Sequence, residues 1–489
     1  MRLSQLIDSD LQTRPEWDAA EIVGLTADSR AVRPGFLFAA LSGAKLDGEQ
    51  FISEAVKNGA AAIVVQSGSD ILTDIPVIED RNPRRRLAMM AARFYGKQPR
   101  VVVAVTGTNG KTSVVTFLRE IWTALTLEAA SLGTVGVVST HGQKDLSSTT
   151  PDPVTLHAIL ADLADEGVTH LAMEASSHGL AQFRLDGVKL TAAAFTNITR
   201  DHLDYHHDFE SYSYSKARLF GEVLAPGGVA VLNADANYFA ECEAISWARG
   251  HRIISVGRKG RDICLAAAKP TARGQILDVI HDGQNYQIKL PLIGAFQASN
   301  ALVAAALAIG CGADADKVFM ALENLTGAKG RLEEIAHLPN GASVFIDYAH
   351  TPDALANLLE AMRPHTERQL VVVFGCGGDR DPGKRPQMGD VAAKLADVVY
   401  VTDDNPRGEN PASIRAAILA AAPSAIEVGD RGHAIDLAIR SLQSGDVLVV
   451  AGKGHETGQI IGGKVIPFSD HQAVSKSAAR ILEAKEGAQ

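Results

Sequence analysis

The chain has 489 residues, 46% hydrophobic and 21% charged, which excludes a disordered or fibrous protein and predicts roughly three domains of about 150 residues each. A formal net charge of −10 argues against a general nucleic-acid or membrane-surface binder, because phosphate backbones and anionic lipids attract clustered lysine and arginine. The four cysteines lack metal-ligand spacing, and neither a signal peptide nor a bilayer-spanning apolar run is visible, so we expect a cytoplasmic protein with reduced thiols.

The first part of the chain, residues 1–98, reads as a small α/β domain. Short strands alternate with helical stretches, and the strands are predicted at Phe36–Leu41, Ala61–Gln66 and Pro76–Glu79. The basic run Arg81–Arg86 opens the last helix and is interpreted as a solvated face. The turn-rich segment Gly96–Arg100 then marks a domain boundary.

The second part, residues 99–329, alternates strands and helices in the manner of a parallel sheet. Its strands are predicted at Arg100–Val105, Leu132–Val138, Thr169–Glu174, Ala192–Ile198 and Val229–Asn233. Two alternating runs joined by Asp282 and Gly283 predict a β-hairpin, and a helix follows through Ser299–Ile309.

A glycine loop lies between the first of these strands and a helix, in the stretch "VVVAVTGTNGKTS". Backbone N–H groups at such a helix start can bind a phosphate, while Lys111 reaches the outer phosphates and the Thr112 hydroxyl can bind magnesium. Only two residues separate Gly107 from Gly110, fewer than in the usual phosphate loop. A capped turn without a ligand is the alternative, but the order of strand, loop, lysine and threonine favours ATP binding.

Two later strands of the same sheet end in polar residues. Glu174 ends one strand, and Asp201 and His202 follow another. Because carboxyl ends of parallel strands share one edge of a sheet, these groups are predicted to hold Mg²⁺ on the triphosphate.

The third part, residues 330–489, has predicted strands at Ser343–Asp347, Leu370–Phe374, Val398–Thr402 and Val447–Ala451. Their alternation with helices predicts a doubly wound, Rossmann-like sheet. The strand in "VVYVTDDNPRGENP" stops at Asp404, Asn405, Pro406 and Arg407. An arginine fixed behind a proline at a strand end is placed to bind a carboxylate, although a capped turn with Arg407 in solvent would give the same pattern.

The motifs "TGTNGKT", "MEASSHGL", "TNITRDHLDYH", "IDYAHTPDAL" and "GCGGDRDPGKR" occur in the order found in the Mur ligase family, which the chain resembles over nearly its whole length. The resemblance implies an α/β protein of three domains: an N-terminal domain for the UDP end of a sugar nucleotide, a central P-loop-type, mostly parallel ATPase domain, and a C-terminal Rossmann-like domain for an incoming amino acid.

Matching positions imply the site residues. For ATP they are Thr106, Gly107, Thr108, Asn109, Gly110, Lys111, Thr112, Asn300, Arg331, Asp347 and His350. For the UDP-muramoyl-dipeptide they are Ala27, Ser29, Thr149, Thr150, Ser176, Gln182 and Arg184, whereas the loop Ser42–Gly48 resembles the uracil-binding loop only loosely. For the amino acid they are Arg380, Asp404, Asn405, Pro406, Arg407, Gly452 and Glu456.

The resemblance implies three catalytic residues: Lys111, His202 and Lys216. Of these, Lys216 matches a lysine that the family carbamylates. As a carbamate, Lys216 would join Thr112, Glu174 and His202 around magnesium. A lysine at this position would otherwise be interpreted as a helix-surface residue.

The expected activity is ATP-dependent addition of meso-diaminopimelate to UDP-N-acetylmuramoyl-L-alanyl-D-glutamate through an acyl phosphate, in cytoplasmic peptidoglycan precursor synthesis. Diaminopimelate differs from lysine by a distal carboxylate, which Arg407 would bind, with Glu456 receiving the ammonium beside it. We expect a monomer acting on small molecules, without nucleic acid or membrane insertion. The alternatives are a folylpolyglutamate synthase, a lysine-adding ligase and a non-enzymatic, ATP-gated scaffold.

Overall fold

The protein is described by a computed structural model that covers residues 1–7, 17, 19–43, 47–146, 148–199, 201, 203–206, 208–271 and 273–486. Its described strands form three large sheets and one separate hairpin. No helix in these described ranges is both long and apolar enough to cross a bilayer.

The first sheet is fully parallel and has four strands in the order β1-β2-β3-β4. Its elements are α1 Leu3–Leu6, β1 Gly24–Thr26, β2 Phe36–Ala39, α2 Ile52–Lys57, β3 Ala62–Gln66, β4 Val77–Asp80 and α3 Pro83–Tyr95, with 3₁₀ turns at Ser29–Ala31 and Gly48–Phe51. Asn82 caps α3, Pro83 occupies its first turn, and Gly96 ends it in a left-handed conformation. The three strands predicted here are confirmed within two residues at each end.

The second sheet contains eleven strands in the order β15-β14-β13-β12-β11-β10-β5-β9-β6-β7-β8. The strands are β5 Val101–Thr106, β6 Ala129–Gly133, β7 Gly136–Ser139, β8 Gly142–Lys144, β9 His170–Glu174, β10 Ala192–Phe195, β11 Val229–Asn233, β12 Arg252–Gly257, β13 Ile263–Thr271, β14 Gly274–His281 and β15 Gln284–Leu290. Strands β6, β9, β5, β10, β11, β12 and β13 are parallel neighbours in this order, and β14 and β15 extend the sheet antiparallel.

The helices of this part cover both faces of the sheet. They are α4 Lys111–Ala124, α5 Pro153–Asp165, α6 Ser177–Ala181, α7 Leu203–His206, α8 Phe209–Arg218, α9 Phe239–Ala248, α10 Ala295–Gly310 and α11 Ala315–Leu322, with a π-helical turn at Leu219–Val223. Alternate residues of β5 enter different cores: Val103 packs with α4 and α10, whereas Val102 packs with α5. Strand β5 is therefore buried on both faces and along its whole length.

The strand predicted at Leu132–Val138 is wrong as a single element. The chain reverses at Thr134 and Val135, and β6 and β7 pair antiparallel. Gly136, at φ 100°, permits this tight reversal, and the glycines on either side of Thr134 and Val135 were the available signal for it. The hairpin predicted at Asp282 and Gly283 is confirmed, with both residues at positive φ as a type I′ turn requires.

The third sheet has the order β16-β17-β21-β18-β19-β20, parallel except for β16 at one edge. Its strands are β16 Glu333–His337, β17 Ser343–Asp347, β18 Leu370–Phe374, β19 Val398–Val401, β20 Ile426–Glu427 and β21 Val447–Ala451. The helices are α12 Pro352–Met362, α13 Lys384–Leu395, α14 Pro411–Leu419, α15 Arg431–Ser441 and α16 Asp470–Glu486, with a 3₁₀ turn at Arg363–His365. Core residues of β18 alternate between the two faces, which confirms the doubly wound prediction.

A separate hairpin lies between β21 and α16. It consists of β22 Gly458–Ile461 and β23 Lys464–Pro467, joined by Gly462 and Gly463. Sequence reasoning missed it, although two glycines between apolar runs are typical of a two-residue hairpin turn.

Candidate active site

The glycine loop connects β5 to α4 at the carboxyl edge of the second sheet. A Cβ atom on Gly107 would overlap the Thr196 hydroxyl, and one on Gly110 would overlap the Asn300 amide oxygen. Gly110 also lies at φ 89°, in the left-handed region. The two glycines therefore let the loop pass between neighbouring side chains at the start of α4, where backbone N–H groups can bind a phosphate.

Two lysines donate to the same loop carbonyl. Lys111 Nζ lies 2.8 Å from Gly107 O and 2.9 Å from Thr108 O, and Lys216 Nζ lies 2.7 Å from Gly107 O. Lys216 is 2% exposed and lies against the Tyr212 ring. Burial and the nearby Lys111 charge hold the pKa of Lys216 well below its usual value, and burial also lowers the pKa of Lys111. Lys216 is therefore a buried amine at the phosphate loop and not a helix-surface lysine.

Glu174, at the end of β9, is held beside the loop by hydrogen bonds. Its Oε1 accepts from the Thr112 hydroxyl at 3.0 Å and from the Thr134 N–H at 2.8 Å, and its Oε2 accepts from the Thr134 hydroxyl at 3.1 Å. The Thr134 hydroxyl also lies 3.1 Å from the hydroxyl of Thr149. Thr134 connects two predicted sites, and it was missed because the turn that carries it was predicted as strand.

Hard oxygen donors of the kind magnesium prefers meet here, since the Thr112 hydroxyl and the Glu174 carboxylate are in contact. The negative charge of Asp201 partly opposes the lowering of the Lys111 and Lys216 pKa values by burial. In the described ranges no three His, Cys, Asp or Glu side chains form a metal-binding group. The predicted ligand His202 lies outside the described residues. The donors present fit magnesium, with Lys216 requiring conversion to a carbamate.

Residues from the third part of the chain reach the phosphate loop. Arg331 donates from Nη2 to Thr112 Oγ1 at 3.0 Å, and Asp353 accepts from Asn109 Nδ2 at 3.3 Å. His350 Nε2 lies 3.8 Å from Asp201 Oδ2. The second and third sheets therefore face each other across the loop.

One cleft between these two parts brings together several predicted ATP residues: Asn109, Gly110, Asn300, Arg331 and Asp347. Asp347 accepts from the Leu332 and Ala349 N–H groups, each at 2.7 Å. Its burial raises the pKa of this carboxyl, and burial lowers the pKa of His350. Tyr348, which was not predicted, carries the Arg331 guanidinium 4.4 Å from its ring centroid.

A second cleft of about 490 Å³ lies between the first and second parts of the chain, and the predicted residues Ala27, Gln182 and Arg184 line it. Arg184 donates to Gln182 Oε1 from Nη2 at 2.8 Å and to Thr150 O from Nη1 at 2.5 Å. Arg84 also lines this cleft. The interpretation of the basic run Arg81–Arg86 as a solvated face is wrong for Arg86, which is 7% exposed and donates from Nε to Asp80 Oδ2 at 2.5 Å.

The other predicted dipeptide residues, Ser29, Thr149, Thr150 and Ser176, are not among the residues that line this cleft. Ser29 is buried and donates to Glu54 at 3.2 Å, and it does not line the cleft. The Thr150 hydroxyl donates to Glu174 O at 2.9 Å and accepts from the Ser176 N–H at 3.1 Å. Residues 44–46 of the loop Ser42–Gly48 lie outside the described residues.

Most of the predicted amino-acid residues lie close together at the carboxyl edge of the third sheet, in a group here termed the amino-acid pocket: Asp404, Asn405, Arg407, Gly452 and Glu456. The Asn405 amide donates from Nδ2 to Glu456 Oε2 at 2.9 Å, and its Oδ1 accepts from Lys453 Nζ at 3.0 Å. Lys453 also donates to Glu456 Oε2 at 2.8 Å, and it is 0% exposed. Sequence reasoning used Gly452 and Glu456 of "AGKGHE" but missed the lysine between them, whose position directly after β21 was the available signal.

Arg407 lies across the turn that follows β18. Its Nη1 donates to Gly378 O at 2.8 Å, and a Cβ atom on Gly377 would come within 2.6 Å of Nη1. The side chain is half-buried. Arg380 on the same turn is exposed, and a Cβ atom on Gly452 would come within 2.9 Å of Asp404 Oδ2. The guanidinium therefore lies against the protein and not in bulk solvent.

The ATP cleft and the amino-acid pocket are adjacent. The Gly452 N–H donates to Asp347 O at 3.1 Å, so the ends of β17 and β21 are joined. The His455 ring packs against Tyr348, with ring centroids 5.5 Å apart, and lies near the Thr134 backbone beside Glu174. Burial and the neighbouring charges of Arg331 and Lys329 lower the pKa of His455 to about 4. This arrangement can bring an activated carboxylate and an amine together.

Three parts of the chain match known domain families. Residues 21–95 match the Mur ligase family catalytic domain, residues 105–308 the Mur ligase middle domain, and residues 330–454 the Mur ligase glutamate ligase domain.

Curated relatives are similar over nearly the whole chain. The UDP-N-acetylmuramoyl-L-alanyl-D-glutamate--2,6-diaminopimelate ligase of Bradyrhizobium diazoefficiens is 54% identical over 483 residues, which cover 98% of this chain and 99% of the relative. The ligase of the same name from Caulobacter vibrioides is 54% identical over 485 residues, covering 98% of each chain.

Solved structures share the fold. A structure of a UDP-N-acetylmuramoyl-L-alanyl-D-glutamate--2,6-diaminopimelate ligase has a TM-score of 0.69 and 31% identity, covering 98% of this chain and 99% of that one. A Mycobacterium tuberculosis folylpolyglutamate synthase complexed with ADP and AMPPCP has a TM-score of 0.63 at 22% identity, covering 82% of this chain and 94% of that one, which shows a common fold alone.

Proposed function

The chain belongs to the Mur ligase family, and we propose that it is the ATP-dependent ligase that joins meso-diaminopimelate to UDP-N-acetylmuramoyl-L-alanyl-D-glutamate. The observation that carries the proposal is that the residues beside Arg407 are joined to the ATP cleft: Asn405 bonds to Lys453 and Glu456, and the Gly452 N–H donates to Asp347 O. A carboxylate can be activated at one site and attacked by an amine bound at the other.

Activation transfers the γ-phosphoryl group of ATP to the D-glutamate carboxylate, which gives an acyl phosphate. Lys111 and Arg331 lie at the loop and would offset the negative charge that the transfer concentrates there. The backbone N–H groups between Gly107 and Thr112 position the phosphates. No covalent enzyme nucleophile is required.

The amine of diaminopimelate then attacks the acyl carbon, and phosphate leaves. Acyl phosphates hydrolyse, so water has to be excluded before the amine arrives. The contacts of Arg331 with Thr112 and of Asp353 with Asn109 close the third part of the chain over the loop. We infer that closure of this kind protects the intermediate.

Thr112, Glu174 and Lys216 in carbamate form, with His202, are proposed to hold Mg²⁺, which when bound would neutralise phosphate charge. Carbamylation requires a neutral amine to attack CO₂ and lose a proton. The burial of Lys216 and its lowered pKa support this requirement. The carbamate would then place a carboxylate at the loop.

Donor selection is proposed to depend on Arg407, which would bind the distal carboxylate of diaminopimelate. Lysine lacks this carboxylate and would leave the guanidinium without an anionic partner, at a cost of about 1 to 3 kcal/mol or roughly 5- to 150-fold in selectivity. Glu456 has Oε2 bound to Asn405 and Lys453, so its Oε1 would receive the substrate ammonium.

We further propose that residues 1–98 hold the UDP sugar, residues 99–329 hold ATP, and residues 330–489 hold the amino acid. The predicted residues of each site keep the roles given above, with Arg184 and Gln182 at the muramoyl-dipeptide. A cytoplasmic monomer acting on small-molecule substrates fits this assignment.

Purified protein with ATP, Mg²⁺ and UDP-N-acetylmuramoyl-L-alanyl-D-glutamate, offered equal diaminopimelate and lysine, tests the proposal. We expect ADP release that requires the dipeptide and a product whose mass contains diaminopimelate. ADP release that responds only to folate and glutamate would identify a folylpolyglutamate synthase. Binding of ATP without any product would favour a scaffold instead.

A further inference from the structure

The hairpin β22–β23 stands outside the parallel sheet but contacts the pocket loop of residues 404–407 at four points. Gln459 Nε2 donates to Asp404 O at 2.6 Å, and the Ile460 N–H donates to Asn405 Oδ1 at 2.9 Å. The Arg407 N–H donates to Ile460 O at 2.9 Å, and the Gly462 N–H donates to Arg407 O at 2.7 Å. The first strand of the hairpin therefore pairs with the loop through both backbone and side chains.

Arg407 needs this support because its backbone is in an unfavourable conformation. Its φ is 51°, in the left-handed region that non-glycine residues rarely adopt, and such residues cost of order 1 to 3 kcal/mol unless their surroundings fix them. Both backbone groups of Arg407 are bonded to the hairpin, to Ile460 and Gly462. This conformation directs the side chain to Gly378 O.

The side-chain orientation of Asn405 also depends on the hairpin. Its amide oxygen accepts from both the Ile460 N–H and Lys453, which leaves its amide nitrogen to donate to Glu456. An amide turned the other way would place its NH₂ group against two donors. The hairpin therefore fixes the side chains proposed for both the distal carboxylate and the ammonium.

We propose that hairpin β22–β23 sets the selectivity for the amino-acid substrate by holding Arg407 in its left-handed conformation, and that Gln459 is a positioning residue in this contact. The inference rests on the proposed function, because it concerns how the pocket distinguishes diaminopimelate from lysine. Gln459 is the only hairpin side chain among these four contacts, so it can be changed without altering the backbone.

The test compares Gln459→Met, which keeps the side-chain length but removes the donor, with Val465→Thr on the other strand, where the side chain is 70% exposed. The readout is the ratio of kcat/KM for diaminopimelate to kcat/KM for lysine, together with KM for ATP and Tm. Both amino acids carry the same distal ammonium, so the ratio isolates the carboxylate contact.

We expect Gln459→Met to lower this ratio by about 5- to 30-fold, the effect of one lost hydrogen bond, with KM for ATP unchanged. Val465→Thr should leave the ratio as it is. In an Arg407→Ala background, Gln459→Met should change the diaminopimelate-to-lysine ratio by less than about twofold, because Gln459 affects selectivity through Arg407.

An unchanged ratio in Gln459→Met, or an equal fall in both backgrounds, would overturn the inference. If Gln459→Met does not fold, Gln459→Glu keeps the size and polarity of the side chain while replacing the donor with an acceptor, and the same outcomes apply. Failure of the proposed function is distinct, since the unmodified protein would then give no diaminopimelate product.

Discussion

The charge states of Lys111 and Lys216 depend on the surroundings of each side chain. Two positive groups that share one carbonyl repel each other, and here one of them, Lys216, is buried while Lys111 is half-buried. A neutral Lys216 relieves the repulsion, and a carbamate reverses it by placing a negative charge beside Lys111.

The first prediction concerns this lysine. Lys216→Ala is expected to lower kcat by about 100-fold or more, because the carboxylate proposed to complete the magnesium site would be lost. Added acetate should restore part of the rate by entering the vacated space. Steady-state ADP release measures both effects, and a variant with normal turnover would contradict the role of Lys216.

A second residue-scale prediction concerns Gly133, at the end of β6. A Cβ atom there would overlap the Glu174 carboxylate, which has to stay beside Thr112. Gly133→Ala is therefore expected to reduce kcat by about 10- to 100-fold, the usual range for displaced supports of a metal ligand. Gly221→Ala is the control, since its only near neighbour, Ile245, would be 3.8 Å away.

At the scale of the element, two helices of the third part are joined by a buried ion pair. Arg431 begins α15 and Asp470 begins α16, and both side chains are 0% exposed. Arg431 also donates to Ala451 O at 2.9 Å, at the end of the strand that precedes Lys453. The pair therefore fixes both helices to the strand that carries part of the amino-acid pocket.

Breaking this pair should be costly. Asp470→Asn is expected to destabilise the protein by about 3 to 5 kcal/mol, because it leaves the Arg431 charge buried without its counter-ion. Lys394→Met removes an exposed pair with Asp390 and should cost no more than about 0.5 kcal/mol. Thermal or denaturant unfolding followed by circular dichroism measures both, and equal losses would contradict the difference between buried and exposed pairs.

At the scale of the whole molecule, the second and third parts are joined around Arg331 and His455. Arg331 contacts Thr112, and His455 contacts the Thr134 backbone, so both reach across to the phosphate-loop side. These two side chains therefore contribute to the contact between the ATP cleft and the amino-acid pocket.

This interface predicts a pH dependence. The pKa of His455 is lowered from 6.5 to about 4, so its contribution to stability is present above pH 6.5 and is lost as the pH falls towards 4. Between pH 7 and pH 5 we expect a loss of up to about 2 kcal/mol from this group. His455→Gln should reduce the fall in Tm over this range, whereas the exposed His141 changed to Gln should not.

The three α/β units, the phosphate loop and the order of the motifs could be predicted from the sequence, because strand periodicity, glycine spacing and strand-end polar residues are local properties. The parallel strands β11, β17, β18 and β21 were predicted with their observed bounds. The site residues were predicted through the family resemblance, and their roles remain proposals.

Which side chains contact one another could not be predicted, because these contacts depend on how the chain folds in three dimensions. Three side chains that were not predicted make hydrogen bonds to residues far away in sequence. Thr134 bonds to Glu174, 40 positions away. Lys453 bonds to Asn405, 48 positions away, and Gln459 bonds to Asp404, 55 positions away. Likewise the left-handed conformation of Arg407 depends on hydrogen bonds to a hairpin about 50 residues later, which no local pattern around the arginine contains. Local sequence specifies elements, whereas burial and long-range hydrogen bonds fix the conformation and charge of the side chains that these elements carry.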